Sequence, residues 1–273
     1  MFTFILDGPL ILVATGWSTN GAAQVIDVTS TNSCQSFPTY PLAVGNAAGG
    51  NIGGFPIICG GGISGTYQSD CYIYKQTSNS WNFLVKMTSE RGFHRAAQLN
   101  GALWVTGGMR LHNQGTTLAT TELIYPNGTV LNGPNLPTVR KSHCMVNLHD
   151  ERVMILSGDY PISTIKNVII YDPTSKTFSD APSLLFERKH AGCALFYSPL
   201  HDNRPVVLAV GGSDQDAATT EILDYTHTNS WEQSEYLCHL YFILIQTITF
   251  NIIFKCHLAN SSETRLKMFS AIL

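Results

Sequence analysis

Short apolar runs that end at glycine recur along this chain and set the pattern of its hydrophobic positions. The runs are Leu12–Gly16, Pro56–Gly61, Leu103–Gly108, Met154–Gly158 and Val207–Gly212. Their leading glycines follow one another at steps of 44, 47, 51 and 53 residues, and they are Gly16, Gly60, Gly107, Gly158 and Gly211, with Gly61, Gly108 and Gly212 beside three of them. No 3.6-residue period of apolar positions accompanies the runs, so the pattern predicts repeated β-strand units and not a helical solenoid.

A second marker follows each glycine. A polar loop leads to a short β-branched or aromatic run, and four units carry a tyrosine there: Tyr74, Tyr125, Tyr171 and Tyr225. A polar turn and a bulky residue come next, and the bulky residues are Trp81, Phe178 and Trp231. Because Asn, Asp, Pro and Gly supply the turn geometries that join antiparallel strands, this order predicts hairpins. The first unit has Cys34 at the bulky position, and the third has Val130 near it.

A third marker opens each of the last three units. It contains the arginines Arg91, Arg140 and Arg188 and the histidines His94, His143 and His190. We interpret each set as recurring at one point of the repeat. A half-apolar run follows each time and is predicted to form the first strand of its unit.

These markers in register resemble the kelch repeat from about residue 9 to 232. The resemblance implies an all-β propeller of four-stranded blades, in which each glycine pair ends a strand and the Trp and Tyr side chains fill the space between blades. The predicted units are 9–41, 42–88, 89–137, 138–184 and 185–234. The first unit lacks an opening strand, so about five blades are visible, and we expect an incomplete six-blade ring.

Composition narrows the functional classes. The chain has 273 residues, with 16 basic and 19 acidic side chains and a net charge of -3. This balance argues against a polybasic surface for nucleic acid or anionic membranes. Charged residues make up 13% of the chain, about half the usual share. A helix needs a charged outer face, so the composition favours β-structure.

The two ends differ from the repeat. Residues 1–8 have no basic region and Asp7 interrupts their apolar run, so they make a poor signal peptide and are predicted to form part of a blade strand. The tail, 235–273, contains neither Gly nor Pro. It has three interpretations: the product of a truncated or mis-spliced gene model, a transmembrane segment at 237–254, or a divergent closing strand pair.

The sequence offers no catalytic residue, metal site or cofactor site. The seven cysteines form no CxxC pair, and Cys144 is expected to be a small buried apolar residue beside His143. Some kelch-type propellers are copper radical oxidases, but the histidines here recur as structural residues would. Cys59 and Cys71 flank one loop, so they are expected to form a bridge if the chain is secreted and to stay thiols in the cytosol.

The resemblance implies a module that binds another protein or a peptide through loops on one face of the propeller. Arg91, Arg140 and Arg188 have two interpretations: they line that face and pair with acidic groups of the partner, or they pair with Glu90, Glu187 or carbonyl groups between blades. The alternative functions are an intracellular substrate receptor for a ubiquitin ligase and a copper radical oxidase.

The compartment is only weakly indicated. Asn127-Gly128-Thr129 and Asn260-Ser261-Ser262 fit the N-glycosylation pattern, and Asn127 falls in a predicted exposed turn. This pattern favours a secretory or extracellular origin, with the cytoplasm as the alternative.

Overall fold

The fold was examined in a computed structural model of the chain. The structure describes residues 2–7, 10–15, 21–27, 34–111, 115–160, 163–198, 201–212, 219–233, 238–240 and 254–256. Gly16, Asn260 and most of 237–254, on which sequence interpretations rest, lie outside these residues.

Five four-stranded antiparallel sheets form the blades of a β-propeller, as predicted. Blade 1 contains β1 (Phe2–Asp7), β2 (Leu10–Ala14), β3 (Ala23–Asp27) and β4 (Cys34–Phe37). Blade 2 contains β5 (Ala48–Ile52), β6 (Phe55–Cys59), β9 (Asp70–Lys75) and β10 (Ser80–Lys86), with a hairpin of β7 (Gly62–Ile63) and β8 (Thr66–Tyr67). Blade 3 contains β11 (Arg95–Leu99), β12 (Ala102–Thr106), β15 (Thr121–Ile124) and β16 (Val130–Asn132), with a hairpin of β13 (Met109–Arg110) and β14 (Thr116–Thr117).

The last two blades follow the same plan. Blade 4 contains β17 (Cys144–Asn147), β18 (Val153–Tyr160), β19 (Ser163–Asp172) and β20 (Thr177–Ala181). Blade 5 contains β21 (Gly192–Ser198), β22 (Arg204–Val210), β23 (Thr220–Leu223) and β24 (Glu232–Gln233). In the tail, β25 (Cys238–Leu240) pairs with β26 (Phe254–Cys256) in a separate two-stranded sheet. None of the helices among the described residues has the length and apolarity to cross a membrane.

Blade 1 corrects one expectation. The sequence predicted that the first unit lacks its opening strand, but β1 pairs with β2 along its whole length and completes the sheet. The first unit therefore begins at Phe2, before the predicted boundary at residue 9. The prediction that the first eight residues contribute a blade strand is confirmed.

The core is divided among the four junctions between successive blades. The first strands, β1, β5, β11, β17 and β21, contact one another in that order around the axis. A separate cluster of buried apolar side chains fills each junction. Junction 1–2 is the junction between blades 1 and 2, and the other junctions are named in the same way.

Large aromatic side chains pack into three of these junctions. The indole nitrogen of Trp81 donates to the carbonyl of Pro38 at 2.9 Å, and that of Trp231 donates to Pro182 at 2.8 Å. Junction 3–4 has the smaller Phe178 at this position. Trp104 of the preceding blade fills the remaining space, since its ring lies 6.4 Å from Phe178 and is fully buried.

The glycine pairs are shifted in register from the sequence interpretation in two units. The first position is occupied by Thr15, Gly60, Gly107, Ser157 and Gly211, all with φ between 52° and 66°. The second position is Gly61, Gly108, Gly158 and Gly212, with φ between 86° and 130°. Gly158 is therefore the second glycine of its pair and not the leading one. The first position tolerates Thr15 and Ser157, whereas every described second position is glycine, and a Cβ on Gly108 there would lie 2.7 Å from the carbonyl oxygen of Gly92.

Two disulfides join cysteines of the described blade strands. Cys59 and Cys71 are opposite each other on β6 and β9 and are bonded, as expected for a secreted chain. Cys144 is bonded to Cys193 across junction 4–5. The expectation that Cys144 is a buried thiol is therefore wrong, because the first strands of blades 4 and 5 bring it beside a second cysteine 49 residues away.

Candidate interaction face

The antiparallel strands divide the loops between two faces of the propeller. One face carries the linkers that enter each first strand and the loops between the second and third strands. We call it the linker face, and its linkers are residues 38–47, 87–94, 133–143 and 182–191. The opposite, or turn, face carries the hairpin turns between the other strands. On the linker face, backbone bridges join Gly45 to Gly62, Gly92 to Met109, and Lys141 to Asp159.

One residue of each linker turns its backbone toward the axis. These residues are Asn46, Phe93, Ser142 and His190, all with φ of 55–57°. Phe93 N–H donates to Asn46 C=O at 3.1 Å, Ser142 N–H to Phe93 C=O at 2.8 Å, and His190 N–H to Ser142 C=O at 2.9 Å. An arc of hydrogen bonds therefore joins blades 2 to 5 at the mouth of the axis.

Three aromatic side chains from different blades converge on this arc. The ring centroids of Phe93 and His190 are 5.6 Å apart, although the two residues open blades 3 and 5. Tyr67, in the β7–β8 hairpin of blade 2, lies 6.2 Å from Phe93 in an edge-to-face arrangement. Phe93 and Tyr67 are half-buried and His190 is exposed. Burial raises the pKa of Tyr67, so its phenol stays protonated. We call these three residues the axial aromatic cluster.

The side chains around this cluster carry both signs of charge. Lys189 Nζ lies 3.8 Å from Asp159 Oδ1, and Lys141 Nζ donates to the Met109 sulfur at 3.7 Å. The linker face thus has aromatic surface at its centre and polar groups at its edge.

Below the arc, the three predicted arginines join one blade to the next. The backbone carbonyls of Arg91, Arg140 and Arg188 accept hydrogen bonds at 2.9 Å from Gly61, Gly108 and Gly158 of the preceding blades. Their guanidinium groups donate into the following blades, to the carbonyls of Gly107 at 2.9 Å, Ser157 at 3.3 Å and Gly211 at 2.7 Å. Each arginine therefore joins two glycine-pair positions: its backbone carbonyl bonds to that of the preceding blade, and its guanidinium bonds to that of the following blade.

A buried carboxylate completes two of the links. Arg91 pairs with Glu122 at 2.7 Å, and Arg188 pairs with Glu221 at 2.8 Å. Each carboxylate also accepts a backbone N–H of the linker, from Thr88 at 2.7 Å and from Leu185 at 2.5 Å. The paired residues are therefore held by donors from both sides of the junction.

Among the described residues, Arg140 has no carboxylate partner. Ile169 occupies the position of Glu122 and Glu221, as the strand registers show. The guanidinium donates instead to the side-chain oxygen of Asn167 at 2.8 Å. Burial lowers the pKa of Arg140 to about 10, so the side chain stays charged at neutral pH.

The predicted histidines do not share one position. His94 and His143 directly precede β11 and β17, but His190 aligns with Phe93 and Ser142, and Ala191 takes the equivalent position before β21. The Nε2 atom of His94 is hydrogen-bonded to Cys59 C=O at 3.1 Å, and that of His143 to the Thr106 hydroxyl at 2.8 Å. Both rings are fully buried. Burial and nearby arginines lower the pKa of His94 to about 3 and shift that of His143 in the same direction.

Comparison with known proteins agrees with this geometry. No family model matches the chain. The sequence is 25% identical over 151 residues to beta-scruin of Limulus polyphemus, and the match covers 53% of this chain and 16% of that protein. The fold is similar to the solved structure of YjhT, with a TM-score of 0.69 and 16% identity, over 85% of this chain and 82% of that one. The chain folds as a β-propeller.

The three arginines do not line an exposed surface of the propeller. Their side chains are 0–1% exposed, and their donors face carbonyl and carboxylate groups of the same chain. This arrangement favours the interpretation in which they pair with carbonyl groups between blades over the one in which they contact a partner. The carboxylates are Glu122 and Glu221, however, and not Glu90 and Glu187. Glu122 and Glu221 were missed because nothing marks a strand glutamate as buried until its arginine is placed.

Two further sequence features can be located in the propeller. Asn127 is exposed in the turn between β15 and β16, on the turn face. Within the part of the chain that the structure describes, no three His, Cys, Asp or Glu side chains are grouped closely enough to hold a metal ion.

Proposed function

We propose that this propeller is a non-catalytic module that binds another protein or a peptide at the axial aromatic cluster of the linker face. The observation that carries the proposal is the meeting of Phe93 and His190, from blades 3 and 5, on an arc of backbone hydrogen bonds. Similarity to kelch-type propellers supports an interaction module at the general level.

The support below the cluster favours binding over a purely structural role. The linkers are fixed by the arginine links, so a partner would meet loops that are already ordered. Pre-ordered loops lower the entropic cost of association. Aromatic side chains with few rotatable bonds are frequent anchors in protein interfaces.

The chemistry of the cluster suits a partner loop or peptide with an apolar or aromatic side chain at its tip. Such a side chain would stack on Phe93 and His190, and each aromatic contact stabilises the complex by about 0.5–1.5 kcal/mol beyond its buried area. The hydroxyl of Tyr67 would add a hydrogen bond to the partner's backbone.

The test is selection of peptides from a displayed random library against the full chain. Phe93→Asn and His190→Asn are the test variants, because Asn46 adopts the same backbone conformation at the equivalent position of blade 2. Phe83→Asn is the control, since Phe83 is an exposed aromatic on the outer strand β10. Thermal unfolding checks that each variant is folded.

We expect the selected peptides to bind the wild type and Phe83→Asn with equal affinity. Phe93→Asn and His190→Asn should weaken binding at least several-fold. Equal binding by all variants, or loss only in Phe83→Asn, would place the interaction elsewhere on the propeller and contradict the proposal.

A further inference from the structure

The turn between β15 and β16 presents Asn127 to solvent in a defined conformation. Gly128 N–H donates to Tyr125 C=O at 2.9 Å, and Tyr125 N–H donates to Thr129 C=O at 2.9 Å. Thr129 N–H donates to the side-chain oxygen of Asn127, also at 2.9 Å. The side chain thus folds toward the residue two positions on, and both Asn127 and Thr129 are exposed.

The described turns between the third and fourth strands of other blades lack an exposed Asn followed by Thr at the second position. Asp172 and Asp224 accept a backbone N–H from Thr174 and Thr226 in the same i to i+2 pattern, at 2.7 and 3.2 Å. Both acceptors are aspartates and not asparagines, and Asp224 is buried. Asn79 of blade 2 is exposed but is followed two residues later by Trp81. Among the described residues, only Asn127 joins an Asn to a Thr at the second following position.

The disulfides give an independent indication of the compartment. Cys59–Cys71 lies within blade 2 and Cys144–Cys193 joins blades 4 and 5, and the contacts lie inside the fold. Disulfides form and persist in secretory and extracellular compartments and are rare in the cytosol. The lumen that oxidises these cysteines is also the place where Asn-X-Thr sites are glycosylated.

We propose that Asn127 is an N-glycosylation site and that the glycan projects from the turn face. In the reaction, the amide nitrogen Nδ2 of Asn127 bonds to the anomeric carbon of an oligosaccharide carried on a lipid diphosphate. The bond between that carbon and the diphosphate oxygen breaks, the lipid diphosphate leaves, and the amide loses one proton.

The position of the site is compatible with the proposed interaction face. The turn joins the third and fourth strands, so it lies at the end of the blade opposite to the linkers. A glycan there leaves Phe93 and His190 accessible. It also lies near apolar surface that has no cover in the described structure: Leu131, which follows the turn, is 49% exposed, and Phe83 is 55% exposed beside Leu84, which approaches Gly128.

The first experiment uses the native protein isolated from its source. It is digested after treatment with a peptide-N-glycosidase in heavy-oxygen water, and the peptide containing Asn127 is analysed by mass spectrometry. Conversion of Asn127 to labelled aspartate is the expected result. Thiol alkylation before and after reduction reports the state of the four cysteines in the same sample.

The second experiment expresses the full chain behind a cleavable signal sequence in eukaryotic cells, and both secreted and retained protein are collected. Asn127→Gln and Thr129→Ala should each abolish the glycan at the turn. Asn79→Gln is the control in the equivalent turn of blade 2, and Asn260→Gln removes the second sequence match. Because glycosylation precedes secretion, a variant that misfolds and is retained still reports on the site.

The outcomes separate cleanly. Labelled aspartate at 127 with protected cysteines supports the proposal. Unmodified Asn127 in native protein that carries both disulfides overturns the glycan, and alkylated, free cysteines in native protein overturn the compartment and with it the site. Neither result bears on peptide binding at the axial aromatic cluster, which is measured separately.

Discussion

Junctions 4–5 and 3–4 share one arrangement of backbone links, but the charge of the buried arginine is balanced differently in each. In each, a fully buried arginine links the glycine pairs of two blades. At junction 4–5 the charge of Arg188 is paired with Glu221, whereas at junction 3–4 Arg140 has only amide and carbonyl acceptors. The backbone link is thus the constant part of the repeat, and the carboxylate is the variable part.

The linker residue that faces the carboxylate position explains the difference. Thr88 and Leu185 donate their N–H groups where a glutamate is present. The equivalent linker residues of the other two junctions are Pro41 and Pro137, which have no N–H. A carboxylate at junction 3–4 would therefore lose one of its donors, and Ile169 stands there instead. The lesson is that the junction carboxylates occur where both an arginine and a backbone N–H of the linker can donate to them.

Junctions 2–3 and 3–4 are expected to be weakened by a different solution condition from junction 4–5. Junctions 2–3 and 3–4 contain the buried neutral rings of His94 and His143. Junction 4–5 has Ala191 at that position and is joined by Cys144–Cys193. Acid is therefore expected to act on the first pair of junctions and reductant on the last.

The largest effect is expected from Arg188→Met compared with Arg140→Met. Arg188→Met leaves Glu221 buried without its counter-charge and should lower the free energy of unfolding by about 3–5 kcal/mol. Arg140→Met leaves no carboxylate and should lower it by about 1–3 kcal/mol. Urea denaturation monitored by tryptophan fluorescence measures both.

A double variant controls this comparison. Arg188→Met with Glu221→Met removes both charges and should recover part of the loss seen in Arg188→Met alone. Equal losses for Arg188→Met and Arg140→Met would mean that the carboxylate plays no distinguishing role, and the comparison of the two junctions would fail.

Removal of the disulfides should rank next. Cys144→Ala with Cys193→Ala opens a bridge spanning 49 residues, and Cys59→Ala with Cys71→Ala opens one spanning 12. The loop-entropy relation gives losses of about 4 and about 3 kcal/mol. Hydrogen exchange should also show faster exchange at junction 4–5 in the first variant. Faster exchange confined to blade 2 in that variant would contradict the assignment.

Acidification should separate junctions 2–3 and 3–4 from junction 4–5. Burial first, and then Arg91 and Arg95, hold the pKa of His94 at about 3, below its unfolded value of about 6.5. The unfolded chain therefore takes up protons first, and the stability is complete above about pH 6.5 and falls as the pH drops toward 3. His94 should account for up to about 2 kcal/mol by about pH 5, and His143 should act in the same direction.

Denaturation over this pH range checks the effect. His94→Gln and His143→Gln should each flatten the dependence. An unaltered slope in both buried variants would show that other groups govern the acid response.

Much of the fold could be predicted from the sequence because glycine, aromatic and turn residues mark local geometry that each blade repeats. Gly61 and Gly108 are required by backbone conformation and close approach, and these causes act within a few residues of the linker. Trp104, by contrast, could not be foreseen as the filler of junction 3–4. Its role depends on the smaller Phe178 more than seventy residues later, and only the packed structure brings the two together.

The interaction face was less accessible to sequence reasoning. The arginines were conspicuous because they recur, and their recurrence follows from the structural link that they make at junctions 2–3, 3–4 and 4–5. Phe93 and His190 occupy the same repeat position but differ in residue type, and Tyr67 comes from a hairpin, so no shared residue pattern connects the three. Cys193 was likewise one of seven cysteines until the first strands of blades 4 and 5 were placed side by side.

The smallest effect concerns the backbone on which both kinds of junction depend. Gly108→Ala should lower the free energy of unfolding by about 1–2 kcal/mol, because φ is 86° and the added Cβ would meet Gly92 C=O at 2.7 Å. Ser157→Gly, at the first position of its pair, should change it by less than about 0.5 kcal/mol, since Ser157 and Thr15 already adopt φ near 54°. Thermal unfolding measures both. If Ser157→Gly proved as damaging as Gly108→Ala, the serine side chain and not the backbone conformation would define junction 3–4, and the shared plan of the junctions would need revision.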